Sequence, residues 1–559
     1  MTRPVTVTDA LVTAAQTPRG IRVIEHDGRS EALPYALLLQ EALTIGGALA
    51  ARGLRFGDRV ALIAPESGDF VRSFFGIMAA GLVPVPLVPP AQAADVQTFA
   101  RQSRHLLAAS RASAVVTSPD VASLLDVPDQ DPATRLLTIE ELRGGPALDE
   151  PVPVTRDATA LLQFTSGSTA APKGVVLSHA SVHANVAAIL GPSGLDASAT
   201  DVSVSWLPLY HDMGLIGMLI SSIYAPADIV VLSPVLFLKR PTAWLEAISM
   251  HRGTVSFAPT FAYDVCVRRV KPSQVDGLDL SSWRVAGCGA EPVRARTLRA
   301  FADRFQGAGF RASSFMPSYG LAEHSLAVAL SHNGLRSDVV DGNRLVRESR
   351  AVPVGDDASA AASAVELVGC GRPFPGHEVR VVDDEERDLP ERHVGRILAR
   401  GPSVMNGYFE DPVGTAEVLR DGWLHTGDLG YLADGELYVC GRTRDLIIRH
   451  GRKYHPPDLE SAITDVQGVR PSGVVVFGIN RVEEADEVVA VLEGRASLAS
   501  HEFADRVRRR VRETAGLELD RVIVTPLGTI PRTTSGKVRR AETRARFEAG
   551  TLLTGGRQL

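Results

Sequence analysis

Between residues 59 and 117 two kinds of apolar segment take turns. RVALIAP reads as a strand, FVRSFFGIMAAG as a helix closed by glycine, LVPVPLVPP as a strand leaving through prolines, and ASAVVTS as another strand. This alternation is the strongest constraint on the fold, because parallel strands need a crossover connection, usually a helix, whereas antiparallel strands do not. ATALLQFT is read as continuing the pattern, so the first two thirds of the chain is expected to be α/β with parallel sheets.

After VELVGCGRPFPGHEVRVVDDEERDLPERHVGRILARG the texture changes to short alternating strands with Asp and Gly turns, which implies a small β-rich subdomain. Asp434 and Gly435, flanked by alternating residues, signal a hairpin. Beyond it GVVVFGI, EVVAVLEG and HEFADRVRRRVRETAG indicate a compact α+β unit from about Thr443. The segment VPVGDDASAAASAVE, biased toward small and acidic residues, is expected to be an exposed loop. The division expected is an N-terminal domain over 1–442 and a C-terminal domain over 443–559.

At 559 residues the chain is too long for one core. Its 45% hydrophobic and 22% charged residues are those of an ordinary globular protein. A net charge of −6 gives no electrostatic footprint for nucleic acid. Cys266, Cys288, Cys370 and Cys440 lack the spacing of a zinc site or disulfide framework, which fits a reducing cytoplasm. The N-terminus has no basic-then-apolar leader, so a cytoplasmic location is expected. The longest uncharged apolar run, 213–227, falls short of the ~18 residues that span a bilayer, and no membrane span is expected.

Arginine has displaced lysine nearly everywhere, leaving Lys173, Lys239, Lys271, Lys453 and Lys537. Lysine is a compact, mobile point charge that arginine replaces poorly. Lys239 and Lys271 read as charges on a solvated face. Lys173 sits in LLQFTSGSTAAPKGVVLSHA, residues 161–180, where glycines and hydroxyls let the backbone approach an anion closely and the ammonium supplies charge. A flexible surface turn explains the same composition. The run is not a Walker loop, since it lacks the GK[ST] ending and no helix begins directly after Lys173.

TSGSTAAPKGVVLSH resembles the phosphate loop of the adenylate-forming superfamily of acyl-CoA synthetases, luciferases, adenylation domains and fatty acyl-AMP ligases. SWLPLYHDMGLIG, CGAEP, SYGLAE, GWLHTGDLG, GRTRDLIIRHGRKYHPPDLE and PRTTSGK match further motifs in order, so the resemblance covers nearly the whole chain. It implies a large N-terminal domain of two α/β subdomains and a small β-rich subdomain, followed by a smaller, mobile α+β C-terminal domain. It also implies attack of a carboxylate on the α-phosphate of ATP.

By this resemblance Thr165, Ser166, Gly167, Ser168, Thr169 and Lys173 hold the β- and γ-phosphates. Glu323 holds Mg²⁺, with Thr169 a second candidate contact. Gly289, Ala290, Glu291 and Pro292 border adenine together with Ser318, Tyr319 and Gly320, and Tyr319 stacks on the base. Asp428 takes the ribose hydroxyls, and Arg442 reaches ribose or phosphate. His211 lies against the reacting carboxylate, Lys537 bridges carboxylate and α-phosphate, and Arg444 marks the hinge of the C-terminal domain. Read alone, Asp428 fits a turn aspartate, Tyr319 and His211 fit core residues, and Arg442 fits a solvated cation.

Trp206 and the DMG triplet, followed by FLKRPTAWLEAIS, resemble fatty acyl-AMP ligases most. That implies a fatty acid substrate and an acyl carrier protein acting in trans, with CoA as the alternative acceptor and a silent acyl- or adenylate-binding homologue as the contrasting class. Residues 331–364 fit the family's insertion, which is linked to restraint of the C-terminal domain. Lys453 and YHPP, 454–457, depart from the ligase pattern and leave the acceptor open. Met213, Ile216 and Met218 suggest an aliphatic pocket, or simply core.

Overall fold

The structure is a computed structural model that describes residues 5–90, 96–125, 134–165, 172–332, 334–355, 363–449, 452–470, 473–479, 487–495, 498–532, 538–552 and 557–558. Among these residues the largest sheet has nine strands. Gly20–Ile24, Asp228–Leu232, Val202–Ser205, Val255–Ala258, Val285–Cys288 and Phe315–Gly320 lie side by side and parallel. Antiparallel Ser30–Pro34 closes one edge, and Ala327–Leu330 with Arg372–Pro373 the other. A second sheet, Val83–Pro86, Arg59–Ile63, Ala114–Thr117 and Arg135–Thr138, is parallel throughout, as the alternating texture implies. Helix Ser67–Ala79 makes its crossover and buries Phe70, Phe74 and Phe75.

One expectation fails. Thr159–Thr165 does not extend a parallel sheet but pairs antiparallel with Lys173–Ser178, and Gly407–Tyr408 adds a third strand. Too few residues separate the first two strands for a crossover, so a hairpin is the only geometry open to them. Its register places Phe164 opposite Gly174, where an added Cβ would lie 3.0 Å from the Phe164 ring.

The β-rich subdomain is an antiparallel sheet of Glu378–Val382, Gly395–Arg400, Trp423–Ala433, Leu419–Arg420 and Glu436–Arg442. Asp434 (φ +54°) and Gly435 (φ +72°) form the two-residue turn between its long strands, the left-handed pair that matches strand twist. The C-terminal unit pairs Val474–Ile479, Glu487–Glu493, Arg521–Thr525 and Arg557–Gln558, with helices Pro456–Thr464, His501–Ala515 and Arg540–Glu548. Its cores of valine, isoleucine and phenylalanine are separate from the main core.

The stretch read as an exposed loop is part strand, since Ala364–Val368 pairs with Ser337–Asp341; its residues 356–362 lie outside the described residues. Within the expected insertion, helix Gly342–Glu348 presents Val346 to the apolar core of the C-terminal unit. The run at 213–227 is a buried helical segment, and no described helix is long and apolar enough to cross a membrane.

Candidate functional site

Parallel strands expose their C-terminal ends, and a ligand crevice forms there. Three connections at those ends carry motif residues. After Val202–Ser205 the chain runs through Trp206, stacked on Phe237 at 3.9 Å, to His211 and helix Asp212–Gly214. His211 Nδ1 is 2.5 Å from the Asp212 carboxylate, which also accepts from the Met213 N–H at 2.7 Å. Leu207, Pro208, His211, Met213, Pro259 and Ala290 line a narrow cleft. Ile216 and Met218 are buried in the main core rather than among these lining residues.

After Val285–Cys288 the chain turns sharply. A Cβ on Gly289 would stand 2.3 Å from Ser318 Oγ and 3.0 Å from the Ser318 carbonyl oxygen, so glycine gives this turn its close approach. Ala290 has φ +69°, a left-handed conformation that costs a non-glycine residue about 1–3 kcal/mol. The turn is cinched to helix Thr260–Arg269: Glu291 accepts from the Phe261 N–H at 2.7 Å, and the Pro292 carbonyl accepts from the Thr260 hydroxyl at 3.2 Å.

After Phe315–Gly320 comes the short turn Ala322–His324, which bears Glu323. Ser325 follows at φ +59° and is buried, its hydroxyl donating to the Ser403 carbonyl at 2.8 Å. Asn185, fully buried on helix His179–Leu190, clasps the same turn. Its amide donates to the carbonyls of His324 (3.3 Å) and Ala327 (2.8 Å) and accepts from the Ala327 N–H (3.0 Å). Tyr408 then donates its hydroxyl to Glu323 Oε1 at 2.8 Å.

Lys173 opens the second hairpin strand, opposite Thr165. Its Nζ is 4.6 Å from the Tyr408 ring centre and 3.9 Å from Asp411 Oδ2. Lys173 and Glu323 therefore meet around one tyrosine. Ser166, Gly167, Ser168, Thr169 and Lys537 lie outside the described residues. Gln163, buried on the first hairpin strand, donates to the Tyr210 carbonyl at 3.0 Å and so fixes the hairpin to the His211 connection.

Tyr319, also on the third strand, is 8% exposed among Val328, Cys370, Ile397 and Leu437, and donates to Asp428 Oδ2 at 2.6 Å. Burial pushes the phenol well above its ordinary range, so it stays a donor. Asp428 faces Arg442 across the register of the two long strands, with Nε 3.5 Å from Oδ1. Burial raises the Asp428 carboxyl, while Arg442 and the Tyr319 hydrogen bond act against that rise. Arg444, one turn on, is depressed by burial and by Arg442.

No group of three or more His, Cys, Asp or Glu able to hold a metal occurs among the described residues. Magnesium needs no such cage, since one or two carboxylates with phosphate oxygens and water are its usual set. Half-buried Glu323, with one oxygen occupied by Tyr408, fits that requirement.

Asn185, Tyr408, Asp411 and Gln163 were not legible as site residues in the sequence. In GYFEDPVGT, Asp411 followed by Pro412 marks a helix start, and Asp411 does cap Pro412–Val418, but that signal is structural and does not point to Tyr408.

The parallel sheet gathers the motif residues at its strand ends, where α/β folds carry their ligand sites. A model of the AMP-binding enzyme family matches residues 11–409, and the chain belongs to that family. A Caulobacter vibrioides protein provisionally named acyl-CoA synthetase is 38% identical over 98% of this chain and 96% of its own. The medium-chain-fatty-acid–[acyl-carrier-protein] ligase JamA of Moorena producens is 32% identical over 89% of this chain and 86% of its own. A solved structure from work on fatty acyl-adenylate ligases of E. coli and L. pneumophila superposes with a TM-score of 0.90, at 36% identity over 98% of both chains.

Proposed function

We propose that the chain is a fatty acyl-AMP ligase that activates a fatty acid with ATP and passes the acyl group to the phosphopantetheine thiol of an acyl carrier protein acting in trans, in the cytoplasm. The observation that carries this reading is the meeting of Lys173 and Glu323 around Tyr408, on a hairpin that Gln163 fixes to the connection bearing His211 and its largely apolar cleft. The likeness to a fatty acyl-adenylate ligase over the whole chain supports it.

A fatty acid carboxylate oxygen attacks the α-phosphorus, and the bond to the β-phosphate oxygen breaks. Pyrophosphate leaves and acyl adenylate remains, with no net proton transfer. Both reactants are anions, so the protein's work is positioning and charge neutralisation. Lys173 and the 165–169 run hold the β- and γ-phosphates. Magnesium, when bound, supplies Lewis-acid neutralisation of phosphate charge, and Glu323 with Thr169 would hold it. Asp428 accepts from the ribose diol, Arg442 flanks it, and Gly289 to Pro292 with Ser318, Tyr319 and Gly320 form the adenine side. His211 faces the carboxylate from the cleft, and Lys537 bridges it to the α-phosphate. The domains divide at 442/443, and the C-terminal domain turns about Arg444 between the two half-reactions.

CoA is the second acceptor, favoured by the name of the Caulobacter relative. The two are separated by giving the enzyme, fatty acid, ATP and magnesium with either preformed holo carrier protein or CoA and following the acyl group by mass spectrometry. Acyl transfer to the carrier with no thioester from CoA is expected; efficient acyl-CoA formation overturns the carrier assignment.

A further inference from the structure

Tyr408 makes two contacts that belong to different charges. Its ring lies 4.6 Å below the Lys173 ammonium, within the range where a cation is held by the aromatic face. Its hydroxyl donates to Glu323 Oε1 at 2.8 Å, and among the described residues no hydrogen bond reaches Oε2. The tyrosine is itself fixed. Its backbone pairs with Val175, its N–H donates to Thr415 Oγ1 at 2.9 Å, and the residue is 9% exposed. Asp411 Oδ2 stands 3.9 Å from Lys173 Nζ, while Oδ1 caps Gly414 at 2.8 Å. A Cβ on Gly414 would come within 2.1 Å of Asp411 Oδ2 and 2.9 Å of Nζ, so glycine leaves room first for the carboxylate and then for the ammonium beside it.

We propose that Tyr408 is a positioning residue that presets the ammonium of Lys173 and the carboxylate of Glu323 for a metal-bound triphosphate, with Asp411 as the resting counter-ion that the phosphates displace. This rests on the roles given to Lys173 and Glu323 under the proposed function. A donor behind a ligating carboxylate fixes its plane, and loss of such a partner typically costs 10–100-fold in metal affinity or activity.

The test uses the full chain with ATP and no fatty acid, so nothing turns over. Manganese, standing in for magnesium, is titrated and followed by electron paramagnetic resonance, and ATP binding without metal is measured by calorimetry in EDTA. Tyr408→Phe keeps the ring and should weaken manganese binding about tenfold, with metal-free ATP affinity unchanged within about twofold. Tyr408→Leu removes the ring as well and should weaken both. Glu323→Gln should lose the tight manganese site, and adding Tyr408→Phe to it should cost nothing further. Wild-type manganese affinity in Tyr408→Phe alongside loss in Glu323→Gln overturns the role of Tyr408 and leaves that of Glu323 standing. Wild-type affinity in Glu323→Gln overturns the metal assignment itself.

Discussion

Asp428 shows how one buried carboxylate sets binding and stability against each other. Its raised pKa means that the folded protein holds the proton at a higher pH than the unfolded chain does. Its contribution to stability is therefore full below the ordinary value of 3.8 and is lost as pH rises through the folded value. Nucleotide binding runs the other way, because only the ionised form accepts two hydrogen bonds from a diol. Asp428→Asn should raise the thermal midpoint at neutral pH while weakening ATP binding at least tenfold, checked by calorimetry. Arg442 lowers this pKa, so Arg442→Ala should move the acid limb of the pH–rate profile to higher pH; an unmoved limb would show that Asp428 does not govern it. At Lys537, replacement by alanine should abolish adenylate formation yet spare thiol attack on supplied acyl adenylate. Near wild-type adenylate formation would remove Lys537 from the mechanism.

The turn that carries Glu323 is held from two sides, by Asn185 of helix His179–Leu190 and by the 403–408 segment that pairs with the hairpin. Asn185→Ala leaves buried backbone groups unpaired and should destabilise the protein by about 2–4 kcal/mol in urea unfolding, with adenylation lost more steeply than stability. Little change in either would mean that water replaces the amide. The motif glycines, Glu323 and Asp428 stand out as candidates because each lies in a short contiguous run that resembles a family motif, although Asp428 read alone fits a turn aspartate. Asn185 does not, because its partner is 139 residues away, and Tyr408 lies 85 residues from Glu323. An asparagine in HANVAAIL looks like any polar residue of a helix. The antiparallel pairing of Thr159–Thr165 departs from the α/β expectation for a related reason: apolar alternation identifies a strand but not the direction of its neighbour.

Across the whole molecule the C-terminal unit is tied to the segment that enters it. Arg540, three residues past Lys537, donates to Asp445 at 2.6 Å, Glu460 at 2.7 Å and the Val476 carbonyl at 3.0 Å. Removing one partner of a buried ionic cluster strands the others, at about 3–5 kcal/mol. Arg540→Ala should therefore lower the stability of the C-terminal unit by that order, read by hydrogen exchange in Val474–Ile479, whereas the main core should be unaffected. Helix Gly342–Glu348 touches the same unit through Val346, and Arg296 pairs with Asp465, so the N-terminal and C-terminal units share an apolar and an ionic contact. The central claim is that two mutually repelling anions, a fatty acid and ATP, are brought into reaction on this scaffold. Pyrophosphate release from ATP and magnesium, measured across a panel of fatty acids of increasing chain length, tests it most directly. Release that requires a fatty acid and is matched mole for mole by acyl adenylate is the expected result; release independent of any fatty acid, or none with every chain length, contradicts it.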